Sequence, residues 1–205
     1  MIKKSLVPPS DAPIVVKLGG SLYNRVPNLV PVLLGSRRPL FIVPGGGIFA
    51  DGVRKSMVDD NSAHWMAVAA MDQYGWFIAS QGIKTTTLLQ VPDQPVVFLP
   101  YCSMRQHDPL RHSWDITSDS IAAWVADLLG LDLLLLKSVD GIFKNNNLMK
   151  QVKMPVKTEV VDPFFIPFIL EKKIKTTIIN GSRVDCVKKF LSGKAVSCTR
   201  IGTTF

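Results

Sequence analysis

The chain has 205 residues, 47% of them hydrophobic and 20% charged, with a formal net charge of +8. That length suits one sizeable core and disfavours a second full domain, so residues 1–205 are expected to form a single domain. The composition excludes a disordered chain, and no apolar run reaches the roughly 18–20 residues a membrane helix needs.

Apolar runs alternate with helix-length amphipathic segments. Strands are predicted over 14–18, 40–43, 96–99, 131–136, 176–179 and 196–201. Helices are predicted over 26–34, 48–57, 62–80, 118–129, 163–171 and 183–191. Pro27 and Pro31 predict an irregular first helix, because an interior proline lacks a donor and clashes. The stretch 139–157, with Asn145, Asn146 and Asn147, reads as loop with a hairpin. Such alternation points to an α/β sheet covered on both faces.

The first thirteen residues hold no long apolar segment, so no signal peptide is expected. Cys102, Cys186 and Cys198 show neither metal-ligand spacing nor an even count, which fits a reduced cytoplasmic setting. The basic residues form no aromatic-interleaved stripe and no zinc framework, so nucleic acid is not the expected partner. The charge is read as solvated faces or as attraction for small polyanions such as ATP.

Two glycine clusters each leave a short apolar strand: Lys17-Leu18-Gly19-Gly20-Ser21 and Pro44-Gly45-Gly46-Gly47. Glycines at a buried strand end let backbone N–H groups approach a ligand, and a following helix N-terminus favours an anion. Two such loops in a basic chain point to two phosphate-bearing ligands meeting between strand ends. Gly45-x-Gly47-x-x-Ala50 also fits the dinucleotide fingerprint, yet it follows the second predicted strand. Asp72 lies in a helical pattern where an acidic ribose ligand should end a strand. No P-loop pattern occurs.

Three further positions keep two readings each. Lys17 is either an exposed edge residue or a cation reaching over the glycine loop, since an unpaired buried ammonium is expensive. Asp119, after Thr117 and Ser118, either suits the helix dipole or orients lysines or magnesium around a phosphoryl group. Lys137, Ser138, Asp140 and Gly141 form an ordinary strand-to-turn exit or a ligand edge at the C-terminal strand ends.

Taken in order, these clusters resemble the amino acid kinase family over nearly the whole chain. The matching motifs are Lys17-x-Gly19-Gly20-Ser21, the triple glycine 45–47, Asp119 opening an Ala-rich helix, Val139-Asp140-Gly141-Ile142, Ile178-x-Asn180-Gly181 and Gly202-Thr203. The resemblance implies an α/β three-layer sandwich with a mainly parallel central sheet. It also implies a small-molecule kinase using ATP and Mg²⁺, assembled as a dimer or larger homo-oligomer. Lys17, Asp119 and Lys137 are then the expected catalytic groups. ATP is expected towards Gly19, Gly20, Ser21, Ser138, Asp140 and Gly141, with no metal ligand assigned.

Within the family, the short length, His64-Trp65-Met66-Ala67 and Ser113-Trp114-Asp115-Ile116-Thr117-Ser118-Asp119 resemble an archaeal branch. That branch phosphorylates an aminomethylfuran phosphate in methanofuran biosynthesis, so its acceptor is a phosphate monoester. The likeness implies acceptor contacts from Gly45, Gly46, Gly47, Arg54 and Thr117. His64 is read as a packed histidine or a phosphate contact. Asp115, ahead of Asp72, is expected to face the ammonium, with Trp114, Trp65 or Phe49 on the flat ring. Many family members carry Gly-Gly-Met-x-x-Lys, whose lysine contacts ATP; residues 162–168 have none, and Lys137 is expected to replace its charge. The short stretch 63–101 predicts a reduced lid without a β-hairpin.

Overall fold

The computed structural model describes residues 11–202. The leader expectation for the first ten residues, and Thr203 of the Gly-Thr motif, lie outside them. The chain begins with Ile14–Leu18 (β1), a 3-10 turn at Gly20–Arg25, Val26–Leu34 (α1) and Leu40–Pro44 (β2). A second 3-10 turn at Gly47–Ala50 leads into Asp51–Lys55 (α2), Asp60–Ala79 (α3), Lys84–Thr86 (β3) and Val96–Phe98 (β4). Tyr101–His107 (α4), Ser118–Leu129 (α5), Asp132–Lys137 (β5) and the pair Phe143–Lys144 (β6) and Asn147–Leu148 (β7) follow. Gln151–Val152 (β8), Phe165–Lys172 (α6), Thr176–Asn180 (β9), Val184–Leu191 (α7) and Thr199–Ile201 (β10) complete the fold.

Eight strands form one sheet in the order β3-β4-β2-β1-β5-β9-β10-β8, and only the β9–β10 pairing is antiparallel. Strand β1 lies at its centre, buried along its length between β2 and β5, with Lys17 opposite Val43 on one side and Leu135 on the other. Alternate residues then serve two cores. Val15, Leu133 and Leu135 pack with Ile121, Ala122, Phe165 and Ile169 of α5 and α6. Val16, Leu134 and Leu136 pack with Leu29, Leu33, Val187 and Leu191 of α1 and α7. The sheet is therefore the middle of three layers, as a run buried on both faces requires. No described helix is long and apolar enough to cross a membrane.

The departures from the predicted elements are local. Helix α1 is continuous: Pro27 sits in its first turn, where the missing N–H has no intrahelical bond to lose, and Pro31 removes one interior bond. The predicted helix 48–57 splits, because Gly47 at φ +55° sends the chain through a 3-10 turn before α2. Strand β3 and helix α4 went unread: β3 has three partly exposed residues and α4 seven, too short for a clear period. Asn145 and Asn146, both left-handed at φ 50° and 62°, close the β6–β7 hairpin as a primed turn. The stretch 63–101 carries no antiparallel pair, only β3 parallel to β4.

Candidate active site

Three charged side chains converge where β1, β5 and α5 meet. Lys17 is 4% exposed on β1, and its Nζ lies 2.7 Å from Asp119 Oδ1. Lys137 Nζ, from the end of β5, donates to Asp119 Oδ2 at 2.5 Å. Thr117 caps α5, whose first turn carries Asp119, and Gly130 in the left-handed conformation ends the helix. Burial alone would raise the Asp119 carboxyl, but Lys17 and Lys137 hold it below the usual carboxylate range. Burial, then Lys17, pushes the Lys137 ammonium down to about 8, against the pull of Asp119 and Asp162. A buried carboxylate thus holds two cations at the C-terminal strand ends, where open parallel sheets present ligand sites.

The two glycine loops form one cradle beside this triad. A Cβ on Gly20 would overlap Cα and N of Gly47, and one on Gly45 would lie 2.8 Å from the Gly20 amide nitrogen. Backbone therefore packs on backbone, which no other residue type permits here. Gly45 N donates to Leu18 O at 2.9 Å and Gly19 N to Leu136 O at 3.2 Å, fixing both loops to the sheet. On the β5 side, Asp140 Oδ1 accepts from Asn180 Nδ2 at 2.9 Å, while Gly181 N donates to Lys137 O at 2.7 Å. A Cβ on Gly141 would overlap Thr199 Oγ1. Ser21 and Ser138 are exposed at the mouths of their loops.

A cleft opens next to the triple glycine, with Gly46, Arg54, Asp60, His64, Trp114 and Thr117 among its walls. The Arg54 guanidinium lies 5.7 Å from the Trp114 ring centroid and 3.2 Å from Asp51 Oδ1. Burial, then His112, pushes the His64 ring down to about 4, so it is neutral at pH 7. Its ring stacks on His112 with centroids 4.1 Å apart, and its buried Nε2 has no hydrogen-bond partner among the described residues. His112 in turn meets Asp108 Oδ1 and Asn61 Oδ1, each at 2.8 Å. The ligand atoms of His64, Asp108 and His112 lie within 4.8 Å of one another, yet rings stacked 15° from parallel cannot aim two lone pairs at one ion.

No family model matches the chain. It is 30% identical over 210 residues to [5-(aminomethyl)furan-3-yl]methyl phosphate kinase of Methanocaldococcus jannaschii, a match covering 91% of this chain and 96% of that protein. The chain belongs to the amino acid kinase family. Solved structures share the fold. UMP kinase from Ureaplasma parvum superposes with a TM-score of 0.74 at 18% identity, covering 94% of this chain and 99% of its own. Uridylate kinase from Archaeoglobus fulgidus gives 0.70 at 19% identity, over 92% and 99% of the two chains. Isopentenyl phosphate kinase gives 0.58 at 17% identity, over 92% and 100%. The chain is a phosphate-transferring small-molecule kinase.

This member of the amino acid kinase family brings Lys17, Asp119 and Lys137 into direct contact and sets Arg54, His64 and Thr117 on one cleft. Asp115 stands apart from that cleft. It is exposed in the turn that Ile116 N closes on Ser113 O, while its neighbours Trp114 and Ile116 line the cleft. Asp72 is also elsewhere, accepting from Tyr101 N at 3.1 Å and tying α3 to α4. The carboxylate on the cleft is Asp60, in the first turn of α3 behind the Asp59 cap. Its position in the sequence carried only a helix-start signal, so sequence reasoning missed it.

Proposed function

We propose that the chain transfers the γ-phosphoryl group of ATP to a phosphate monoester, [5-(aminomethyl)furan-3-yl]methyl phosphate, giving the diphosphate of methanofuran biosynthesis. The observation that carries this reading is the Lys17–Asp119–Lys137 triad beside two interlocked glycine loops. The relative's acceptor, as its name gives it, is a phosphate that also bears an amine. Lys17 and the Gly20 amide hold the γ-phosphoryl group, with Ser21, Ser138, Asp140 and Gly141 around the rest of the nucleotide; the Gly19 N–H, bonded to Leu136 O, anchors the loop instead. The amides of Gly46 and Gly47, with Arg54, hold the acceptor phosphate, where arginine binds two oxygens at once; Gly45, whose N–H is spent on Leu18 O, serves as the close-packed turn and not as the expected phosphate donor.

An acceptor phosphate oxygen attacks the γ-phosphorus as the bond to the β–γ bridging oxygen breaks, and ADP leaves. That oxygen is already ionised near neutral pH, so no strong general base is needed; positioning and charge neutralisation carry the rate. Both oxygens of Asp119 are taken by ammonium groups, so the donors here fit Mg²⁺ held by ATP phosphates and water. Mg²⁺ bound with the nucleotide there would supply neutralisation of phosphate charge. The reading includes a cytoplasmic homo-oligomer and a single domain over residues 1–205.

Asp60 takes the role first expected of Asp115, facing the acceptor ammonium from the cleft wall. Asp60→Asn is therefore expected to raise KM for the amine-bearing acceptor about fivefold, the scale of an exposed ion pair. The same acceptor lacking its aminomethyl group should show an unchanged KM; an equal rise for both would remove Asp60 from this role.

The substrate is tested by phosphorus NMR of turnover with ATP and Mg²⁺. The panel holds aminomethylfuran-methyl phosphate, isopentenyl phosphate, UMP, carbamate, glutamate and acetylglutamate. A diphosphate doublet with the furan phosphate alone is the expected result. An acyl-phosphate signal, or turnover of isopentenyl phosphate or UMP, reassigns the acceptor within the family. Silence across the panel with ATP still bound indicates a nucleotide-binding protein without this chemistry.

A further inference from the structure

A second buried carboxylate lies behind the triad. Asp162 is 8% exposed and precedes α6. Its Oδ2 accepts from Thr117 N at 2.9 Å, Thr117 Oγ1 at 2.8 Å and Ser120 N at 3.2 Å. Its Oδ1 accepts from Ser120 Oγ at 2.5 Å and Phe165 N at 3.0 Å. A carboxylate offers about four lone-pair sites, so five donors leave it no capacity for a substrate. Four of the five belong to Thr117 and Ser120, on either side of Asp119. The fifth opens α6, so one side chain ties together two helix N-termini whose dipoles both favour an anion.

We propose that Asp162 is a positioning residue for phosphoryl transfer, holding the first turn of α5 so that Asp119 meets Lys17 and Lys137 together. The inference rests on the role proposed above for that triad. Mispositioning a reacting group by about 1 Å can lower a rate on the order of 10²-fold, and Asp119 has no slack between two cations. Asp162 also acts through space. Among the described residues, the charges that act on Lys137 are those of Lys17 on β1, Asp119 on α5 and Asp162 before α6. Both carboxylates help it hold its proton, while burial and Lys17 oppose them.

Asp162→Asn removes the charge and turns an amide N–H₂ towards groups that themselves donate. The expected result is a folded protein with kcat lowered about 10²-fold and KM for ATP little changed. The ¹³Cε lysine NMR titration of Lys137, assigned with Lys137→Arg, should move to lower pH; Asp162→Glu, which keeps the charge, should restore it. A purely structural role would not move that titration. A folded Asp162→Asn protein with parental kcat and parental Lys137 titration overturns the proposal. Should that variant not fold, Ser120→Ala decides, since it removes one bond and keeps the charge. A kcat lowered severalfold supports the clamp, and a parental kcat overturns it. If the wild type turns over no acceptor, the proposed function fails, while the lysine titration still reports on Asp162 by itself.

Discussion

Replacing Asp119 by asparagine is expected to lower kcat about 10³-fold, the upper range for removing one group that organises charge at a transition state. Each carboxylate oxygen holds one ammonium, Lys17 at 2.7 Å and Lys137 at 2.5 Å. An amide keeps one acceptor and turns its N–H₂ towards the other cation, so at least one lysine is released. Two ammonium groups then share a buried site with no anion between them, and each favours withdrawal or loss of its proton. Lys17→Ala should fall in the same range by deleting the phosphate contact itself.

The same substitution makes a second, independent measurement informative. Breaking a buried charge network by removing one partner typically destabilises by about 3–5 kcal/mol, so Tm of the Asp119→Asn protein should drop. ATP with Mg²⁺ brings phosphate anions to the two stranded lysines. The variant should therefore gain more in Tm from ATP than the wild type does. An equal gain in both proteins would mean that the nucleotide phosphates do not sit against this pair, whatever the loss in rate.

The chemistry of the site was legible because burial makes it conspicuous. A lysine inside Ile14–Leu18 has to meet an anion, and Asp119, in a helix first turn at the same sheet edge, is that anion. The glycines announced close backbone approach, although nothing in the sequence showed that Gly20 and Gly47 approach each other. What stayed hidden depends on long-range packing. The sequence pointed to Asp115 and then Asp72 as ammonium partners; only the packing of α3 beside the triple-glycine loop puts Asp60 on the cleft instead. Asp162 looked like part of a segment that had lost a lysine, and its five bonds to Thr117, Ser120 and Phe165 exist only once α5 and α6 pack together. The stacking of His64 on His112 joins residues 48 positions apart and had no local signal.

Under the proposed function, Lys137 is expected to set the pH range in which the site binds its nucleotide. Its ammonium is pushed down to about 8, chiefly by burial and then by Lys17. Above that pH the free enzyme presents a neutral amine, which cannot neutralise phosphate charge. The value of kcat/KM for ATP should then fall about tenfold per pH unit, because that ratio reports on the free enzyme. Bound phosphate stabilises the ammonium, so kcat should hold to higher pH. Lys137→Ala should lower kcat/KM about 10²–10³-fold at pH 7 and abolish this limb. Lys137→Arg keeps a charge that does not titrate in this range, so its profile should stay flat above pH 8, at a lower level because a planar guanidinium fits a single carboxylate oxygen differently. Full turnover in Lys137→Ala, with Lys17→Ala inactive, would show that Lys137 only balances Asp119 and does not replace the lysine that many family members place before α6.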